Sequence, residues 1–477
     1  MKVYNSLSRQ AEPFQPSQPP QVTMYVCGLT PYDHAHVGHT RTYVAFDTFK
    51  RYLIHEGYRV RHIQNITDVE DKILNRAKET GEDPRKLVER YHREALSLFA
   101  QLGILPADIY PAVTAHLKEI IGLIGQLLTK GYAYETSTGI YYSVGKFKGY
   151  GKLSGQKQDT IRAGARVEVD ETKQHPEDFA LWKKTQGELL EFDSPWGRGR
   201  PGWHIECSAM ALKYAPALDI HGGARDLIFP HHENEIAQSE PVQKPFCRYW
   251  MHTGFLTVQG EKMSKSLGNF IILADAIKKF GRNALRLFFL QTHYRSPMDY
   301  DEEQIQSAQE GVERIFNSLG LIRERMPKKG RTNQSFQEET RKLISRFYSH
   351  MDDDFDTPRA LAALFDLIRY TNQHLKEADG NTLQQLEKEL AKMLWILGLE
   401  EEKTSIASKQ EALNGLLKAL GEKEQKTAES ALKKLIALRE TFRKKKDFQK
   451  SDEIRKRLHE FGIVLEDKEK GVRWKTA

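Results

Sequence analysis

Hydrophobic and polar positions change rhythm several times along the chain. VTMYVCGLTP (22–31) is a short apolar run closed by glycine and proline, the pattern of a buried strand entering a turn. TYVAFDTFKRYLIHEG (42–57) then places Tyr43, Phe46, Phe49 and Leu53 at helical spacing, with Gly57 as the stop. YRVRHIQNITD (58–68) returns to strand text. Strand, helix and strand in so short a stretch predict a βαβ unit and hence a parallel sheet, with ligands at the strand carboxyl ends. Helical periodicity follows around 89–103 and in KEIIGLIGQLLTKG (118–131).

Residues 132–200 are rich in Gly, Tyr and Thr, as expected of a small inserted lobe containing strands. Sheet text resumes at ALDIHGG (217–223) and YWMHTGFLTV (249–258), so the insertion splits the sheet domain. Past residue 270 the pattern is helical. Leu361, Leu364, Phe365 and Ile368 form a bundle stripe, and Pro327 to Gly330 suggests a hinge or loop. Arg443 to Leu458 reads as one helix, and FGIVLEDKEKGVRW as two short strands around a turn. These shifts divide the chain into 1–115, 116–200, 201–270, 271–330, 331–400 and 401–477.

At 477 residues the chain is too long for one core. No apolar run reaches the roughly 20 residues that cross a bilayer. The opening MKVYNSLSRQAEPFQP lacks a secretory apolar stretch, so a cytoplasmic location is expected. Cys27, Cys207 and Cys247 are far apart in sequence and form no disulfide framework. The net charge of +7 is concentrated late, with 20 Lys/Arg against 14 Asp/Glu in residues 401–477. That balance suits a module that binds a polyanion, although solvated helix faces would also produce it.

Three stretches carry candidate chemistry. In FPHHENEIAQ (229–238), a helix opened by Pro230 would put His231 and Glu235 on one face, while His232 and Glu233 would point away. HAHVGHTRT (34–42) places His36 and His39 around Gly38 where the first helix begins, an arrangement suited to polyphosphate. EKMSKSLGN (261–269) offers Lys262 and Lys265 in a Gly-flanked loop able to neutralise a leaving pyrophosphate. Each has an ordinary reading as a polar turn or solvated loop.

Together the motifs resemble a family. HVGH is similar to the HIGH signature, and KMSKS matches the second signature, of class I aminoacyl-tRNA synthetases. MYVCG, NITDVEDK, GRPGWHIECSAM, DIHGG and FPHHENEIAQ resemble the cysteinyl-tRNA synthetases over essentially the whole chain. The resemblance implies an α/β fold. A split Rossmann-like parallel-sheet catalytic domain with an inserted lobe would precede a stem-contact region, an α-helical bundle anticodon-binding domain and a small basic α/β domain.

It also implies one Zn2+ held by Cys27, Cys207, His231 and Glu235, with Cys247 structural. Thr67, Trp203, His221 and Asp226 would surround the amino acid, and Ala224 and Arg225 in HGGARDL depart from the usual GGGSDL beside Asp226. Val37 replaces the isoleucine of HIGH. ATP with Mg2+ would be handled by His36, Gly38, His39, Lys262 and Lys265, with Lys265 the most rate-sensitive. The implied reaction joins L-cysteine to ATP as cysteinyl-adenylate and then to tRNA(Cys), read through Arg443, Asp452 and Trp474. Thiolate coordination would separate cysteine from serine, and the inserted lobe looks too short for an editing domain. Because four protein ligands normally close a zinc site, either a fifth position opens or Glu235 moves outward. A monomer is expected. The alternatives are a zinc-dependent ligase joining cysteine to a small amine acceptor, and a noncatalytic tRNA-binding paralogue.

Overall fold

The computed structural model describes residues 1–156, 172–215, 218–263, 269–326, 332–401, 409–468 and 471–476. It contains two compact units, Met1–Glu400 and Glu401–Ala477. In the first, the strands Cys247–Thr253, Leu218–Ala224, Gln21–Val26 and Arg59–Gln64 lie side by side in that order, and every pairing is parallel. The helix Val37–His55 connects Gln21–Val26 to Arg59–Gln64 and packs Val44, Phe46, Phe49 and Leu53 into the core. This is the expected βαβ unit. The chain leaves the sheet after Gln64 and returns at Leu218. Between these points the strands Ala133–Glu135, Gly139–Tyr142, Phe179–Lys184 and Gly199–Pro201 form an antiparallel sheet.

YWMHTGFLTV belongs to two sheets rather than one. Cys247–Thr253 completes the parallel sheet, whereas Leu256–Val258 pairs with Glu261–Lys262 and with Met298–Asp299. Gly254 makes the corner, where a Cβ would lie 2.2 Å from the Ser296 carbonyl oxygen. The helices Glu302–Arg325, Gln334–Met351, Thr357–His374 and Gly380–Leu397 follow, with Leu361, Leu364 and Ile368 buried on the predicted stripe. The suggested hinge, Pro327 to Gly330, lies outside the described residues.

One carboxylate ties these parts of the first unit together. Asp47, on the first helix, accepts from Arg51 Nε (2.9 Å) and Arg286 Nη2 (2.6 Å) through Oδ2, and from the Leu105 N–H (2.8 Å) through Oδ1. Arg286 also donates to the Leu397 and Leu102 carbonyls, and Arg51 to those of Trp395 and Gly103. The first helix, the helix Arg282–Leu290 and the end of Gly380–Leu397 therefore share one buried charge cluster. Gly398 is left-handed (φ 66°), and a Cβ there would sit 2.1 Å from Arg286 Nη2.

The second unit corrects one expectation. Arg443 to Leu458 is not a single helix: Ala428–Lys444 ends and Phe448–Glu460 begins anew. Lys446 turns left-handed (φ 60°), and the Asp447 side chain caps the second helix at the Lys450 N–H. The antiparallel strands Ile463–Lys468 and Gly471–Thr476 then form as the sequence suggests.

Removing one member of a buried ion pair leaves the other charge uncompensated, at a cost of about 3–5 kcal/mol. Arg286→Met is therefore expected to lower the stability of the first unit by that amount, read as a fall in the urea midpoint. An unchanged midpoint would show that Arg51 alone suffices for Asp47.

Candidate active site

Four buried side chains converge at the carboxyl end of the strand Gln21–Val26. Cys27 follows that strand directly, Cys207 projects from the helix Trp203–Tyr214, and His231 and Glu235 come from the Ile228–Ser239 segment. Their ligand atoms all lie within 4.8 Å of one another. His231 Nε2 is 3.0 Å from Glu235 Oε1, the predicted i, i+4 pair.

The surroundings orient each group. His231 Nδ1 meets His204 Nδ1 at 2.9 Å, and the Trp203 ring, 42% exposed, lies over His231 at 4.6 Å. His221 places Nε2 2.8 Å from Glu235 Oε2 and Nδ1 3.1 Å from the Tyr25 carbonyl. Burial alone would raise the Glu235 pKa, but His221 and His231 outweigh it and hold the carboxyl at about 2. Cys207 is lowered to about 6, chiefly by its hydrogen bond with Cys27, whose own thiol is pushed up by burial. The pair can thus present one thiolate beside a carboxylate. Two thiols, an imidazole and a carboxylate, all buried, are a donor set that fits zinc.

Contrary to the sequence expectation, His232 does not point away. Its Nε2 lies 3.2 Å from Cys27 Sγ, and its Nδ1 lies 2.8 Å from His252 Nε2. Cys27, His221, His232 and Glu235 form a second grouping with metal-ligand spacing. Phe229 is extended (φ −138°, ψ 130°), so regular helix begins only beyond it, and the wide turn through His232 swings that ring inward. Glu233 does face elsewhere: it accepts from the backbone N–H groups of Gly151, Leu153 and Ser154. Cys247 is buried and bonds backbone carbonyls on the sheet, as a structural thiol would.

Glycines allow the close packing. A Cβ on Gly28 would stand 1.7 Å from the Asn65 carbonyl oxygen, and one on Gly223 would stand 2.7 Å from Leu227 Cδ1. Thr67 is buried and accepts from Asn65 Nδ2 at 3.1 Å. Asp226 is exposed on the turn Arg225–Leu227, just past the strand that carries His221.

The first helix opens on the other candidate site. His36 is extended (φ −123°, ψ 161°) and caps the helix without a side-chain bond. Its ring lies 3.6 Å from that of His39, and both Nδ1 atoms are buried without a partner among the described residues. Gly38 leaves room here, since a Cβ would lie 2.9 Å from His36 Nδ1 and 3.8 Å from Met263 Sδ. The two signature segments therefore meet. The Val37 N–H donates to the Ile271 carbonyl (3.1 Å), and the Leu273 N–H donates to that of Ala35 (2.9 Å). Lys262 ends a strand of the small sheet, and Lys265 lies outside the described residues. Desolvation lowers His36 to about 4 and holds His39 well below its ordinary value, so both rings are neutral near pH 7.

In the second unit, Arg443 pairs with Glu440 and Asp467, and Trp474 is half-buried against the small core. Asp452 is exposed. Sequence reasoning missed Phe448, four residues before Asp452 and 59% exposed. Its signal was an aromatic directly after the Asp447 cap, in a lysine-rich turn.

The family model of the tRNA synthetases class I (C) catalytic domain matches residues 13–310. The DALR domain matches 346–401, and the cysteinyl-tRNA ligase anticodon binding domain matches 429–474. Among solved structures, Mycobacterium tuberculosis methionyl-tRNA synthetase in complex with methionyl-adenylate is similar in fold (TM-score 0.58, 15% identity). That similarity covers 79% of this chain and 89% of the other. The parallel sheet and its two bridged signature segments are thus those of a class I aminoacyl-tRNA synthetase. A cysteine–tRNA ligase of Heliobacterium modesticaldum is 46% identical, covering 100% of both chains. One of Thermococcus onnurineus is 47% identical, covering 100% of this chain and 99% of that one. The chain belongs to the cysteine–tRNA ligase family.

The lowered value of His36 has a testable sign. Between the ordinary 6.5 and about 4, the unfolded chain binds a proton at this position that the folded chain does not. Stability is therefore full above that window and declines as pH falls through it. His36→Gln is expected to make the decline between pH 6.5 and 4.5 shallower by up to about 1.4 kcal/mol per pH unit. The same slope in both proteins would mean that the imidazole titrates normally.

Proposed function

We propose that this cysteine–tRNA ligase binds one zinc ion through Cys27, Cys207, His231 and Glu235, activates L-cysteine with ATP and Mg2+, and transfers the cysteinyl group to tRNA(Cys). The observation that carries the reading is the convergence of those four buried groups, from three distant parts of the chain, at the end of a parallel strand beside the HVGH helix. Zinc held there by these four residues would supply a thiophilic Lewis acid, suited to a thiolate and poorly suited to a hydroxyl.

The chain's own residues then align the amino acid. Trp203 forms an exposed wall over His231 and His221 stands behind Glu235. This reading assigns Thr67 and Asp226 as further contacts to the amino acid, Asp226 to its α-ammonium group. The substrate carboxylate is already ionised and attacks the α-phosphate of ATP, releasing pyrophosphate. No protein base is needed. His36 and His39, neutral at the amino terminus of the first helix, offer N–H donors beside the free backbone N–H groups, and Gly38 lets phosphate approach. Lys262 and Lys265 neutralise charge on the leaving pyrophosphate, while Mg2+ accompanies the phosphates. The terminal adenosine hydroxyl of tRNA next displaces AMP from cysteinyl-adenylate.

In this reading residues 1–115 and 201–270 form the catalytic domain, 116–200 the connective lobe and 271–330 the stem-contact region. Residues 331–400 form the bundle and 401–477 meet the anticodon. There Asp452 and exposed Phe448 share a helix face, suited to a base edge and a base plane. Arg443 and Trp474 are the other contacts this reading assigns to the tRNA. The enzyme works as a cytoplasmic monomer, and no helix among the described residues is long and apolar enough to cross a membrane.

Cys207→Ser is expected to weaken zinc binding and raise KM for cysteine together, measured by metal analysis after dialysis and by ATP–pyrophosphate exchange. Normal values for both would defeat the ligand assignment. With zinc-loaded enzyme, kcat/KM for serine activation is expected to lie roughly 10⁴-fold or more below that for cysteine. Comparable turnover of the two amino acids would refute thiolate recognition.

A further inference from the structure

Arg41 lies in the HVGHTRT stretch, one turn into the first helix, and the reaction described above does not use it. It is 2% exposed. Burial lowers its guanidinium to about 10, and no carboxylate pairs with it among the described residues. Buried charges are normally paired, so an unpaired guanidinium needs another compensation. Here that is four backbone carbonyls. Nη1 donates to Gly254 (3.0 Å) and Phe255 (2.7 Å), and Nη2 donates to His293 (3.2 Å) and Ser296.

Those carbonyls belong to two loops that lead into the hairpin ending at Lys262 and into the strand paired with it. Gly254 and Phe255 lead directly into the hairpin Leu256–Lys262, after which the KMSKS residues continue. The other loop leads into Met298–Asp299, which pairs with Leu256 and Thr257. Asp299 clamps the hairpin by accepting from Thr257 Oγ1 (2.6 Å) and from the Gln259 and Gly260 N–H groups (3.1 and 3.0 Å). Gln259 (φ 55°) and Gly260 (φ 77°) make the tight left-handed turn that two-residue hairpins require. The hairpin is thus firmly built, and Arg41 fastens its base to the helix that begins with His36 and His39.

At the far side of the segment, residues 271–273 are bonded to residues 35–37. The first signature helix therefore grips the chain both before and after the second signature. We propose that Arg41 is a positioning residue that sets the entry of the KMSKS segment relative to the His36/His39 helix terminus, and thereby the rate of amino-acid activation. This rests on the reading that those two segments act on ATP. A guanidinium is needed because its planar fork reaches carbonyls on two loops at once, which a lysine ammonium on a flexible stem does not reproduce.

The test separates activation from everything else. In Arg41→Lys and Arg41→Gln, kcat of cysteine-dependent ATP–pyrophosphate exchange is expected to fall about tenfold or more, since small misplacements of reacting groups are costly. The unfolding midpoint is expected to fall, because carbonyls are left without their donor. At a temperature where both variants remain folded, KM for cysteine, zinc content and single-turnover transfer from preformed cysteinyl-adenylate to tRNA are expected to stay within about twofold of the parent values. An exchange kcat unchanged in both variants overturns the proposal. So does a joint loss of exchange, transfer and zinc in protein that is still folded, because Arg41 would then serve the whole domain rather than activation. Failure of the parent enzyme to catalyse exchange would instead defeat the ATP reading itself.

Discussion

A carboxylate placed among thiols in a dry interior is stable only when N–H donors or cations surround it. Glu235 meets that condition through His221 on one oxygen and His231 on the other. The neighbouring structure follows from the need to hold those rings. His221 is fixed by the Tyr25 carbonyl, His231 by His204 and the Trp203 ring, and His232 by His252, which in turn reaches Ser6 Oγ at 2.8 Å. Imidazoles that face a metal site with one nitrogen and are tethered by the other keep a defined orientation. The parallel sheet contributes Cys27 and His221 directly, and helices packed beside it contribute the rest.

The same economy of anchoring organises the larger first unit. Asp47 and Arg41 lie on one helix, six residues apart in sequence. Asp47 gathers Arg51, Arg286 and the backbone at Leu105, while Arg41 gathers the loops at residues 254–255 and 293–296. A helix that opens with His36 therefore transmits its position in two directions, toward the helical bundle and toward the hairpin that ends at Lys262.

Much of this was legible in the sequence. The alternation of strand and helix text fixes a parallel sheet, and the spacing of His231 and Glu235 is sufficient to pair them on a helical face. The chain's resemblance to a family supplied Cys27 and Cys207, which no local periodicity could have joined to that pair. His232 was misread because helical spacing was applied from Pro230, whereas extended Phe229 and the wide turn after it rotate the ring into the site. The break at Lys445–Asp447 was hidden for a related reason. Lysine is a good helix former, and only the capping carboxylate of Asp447 betrays the restart. Arg41 and Arg286 have no local signature at all, because their partners are carbonyls and a carboxylate distant in sequence.

The paired contacts of Glu235 have one more consequence. As the proposed zinc ligand, Glu235 could let go without being stranded, since His221 Nε2 remains beside its other oxygen. A third cysteine at that position would grip harder and have nowhere to retreat. In the proposed zinc centre, oxygen rather than sulfur at one corner would favour repeated exchange of visitors over permanent retention.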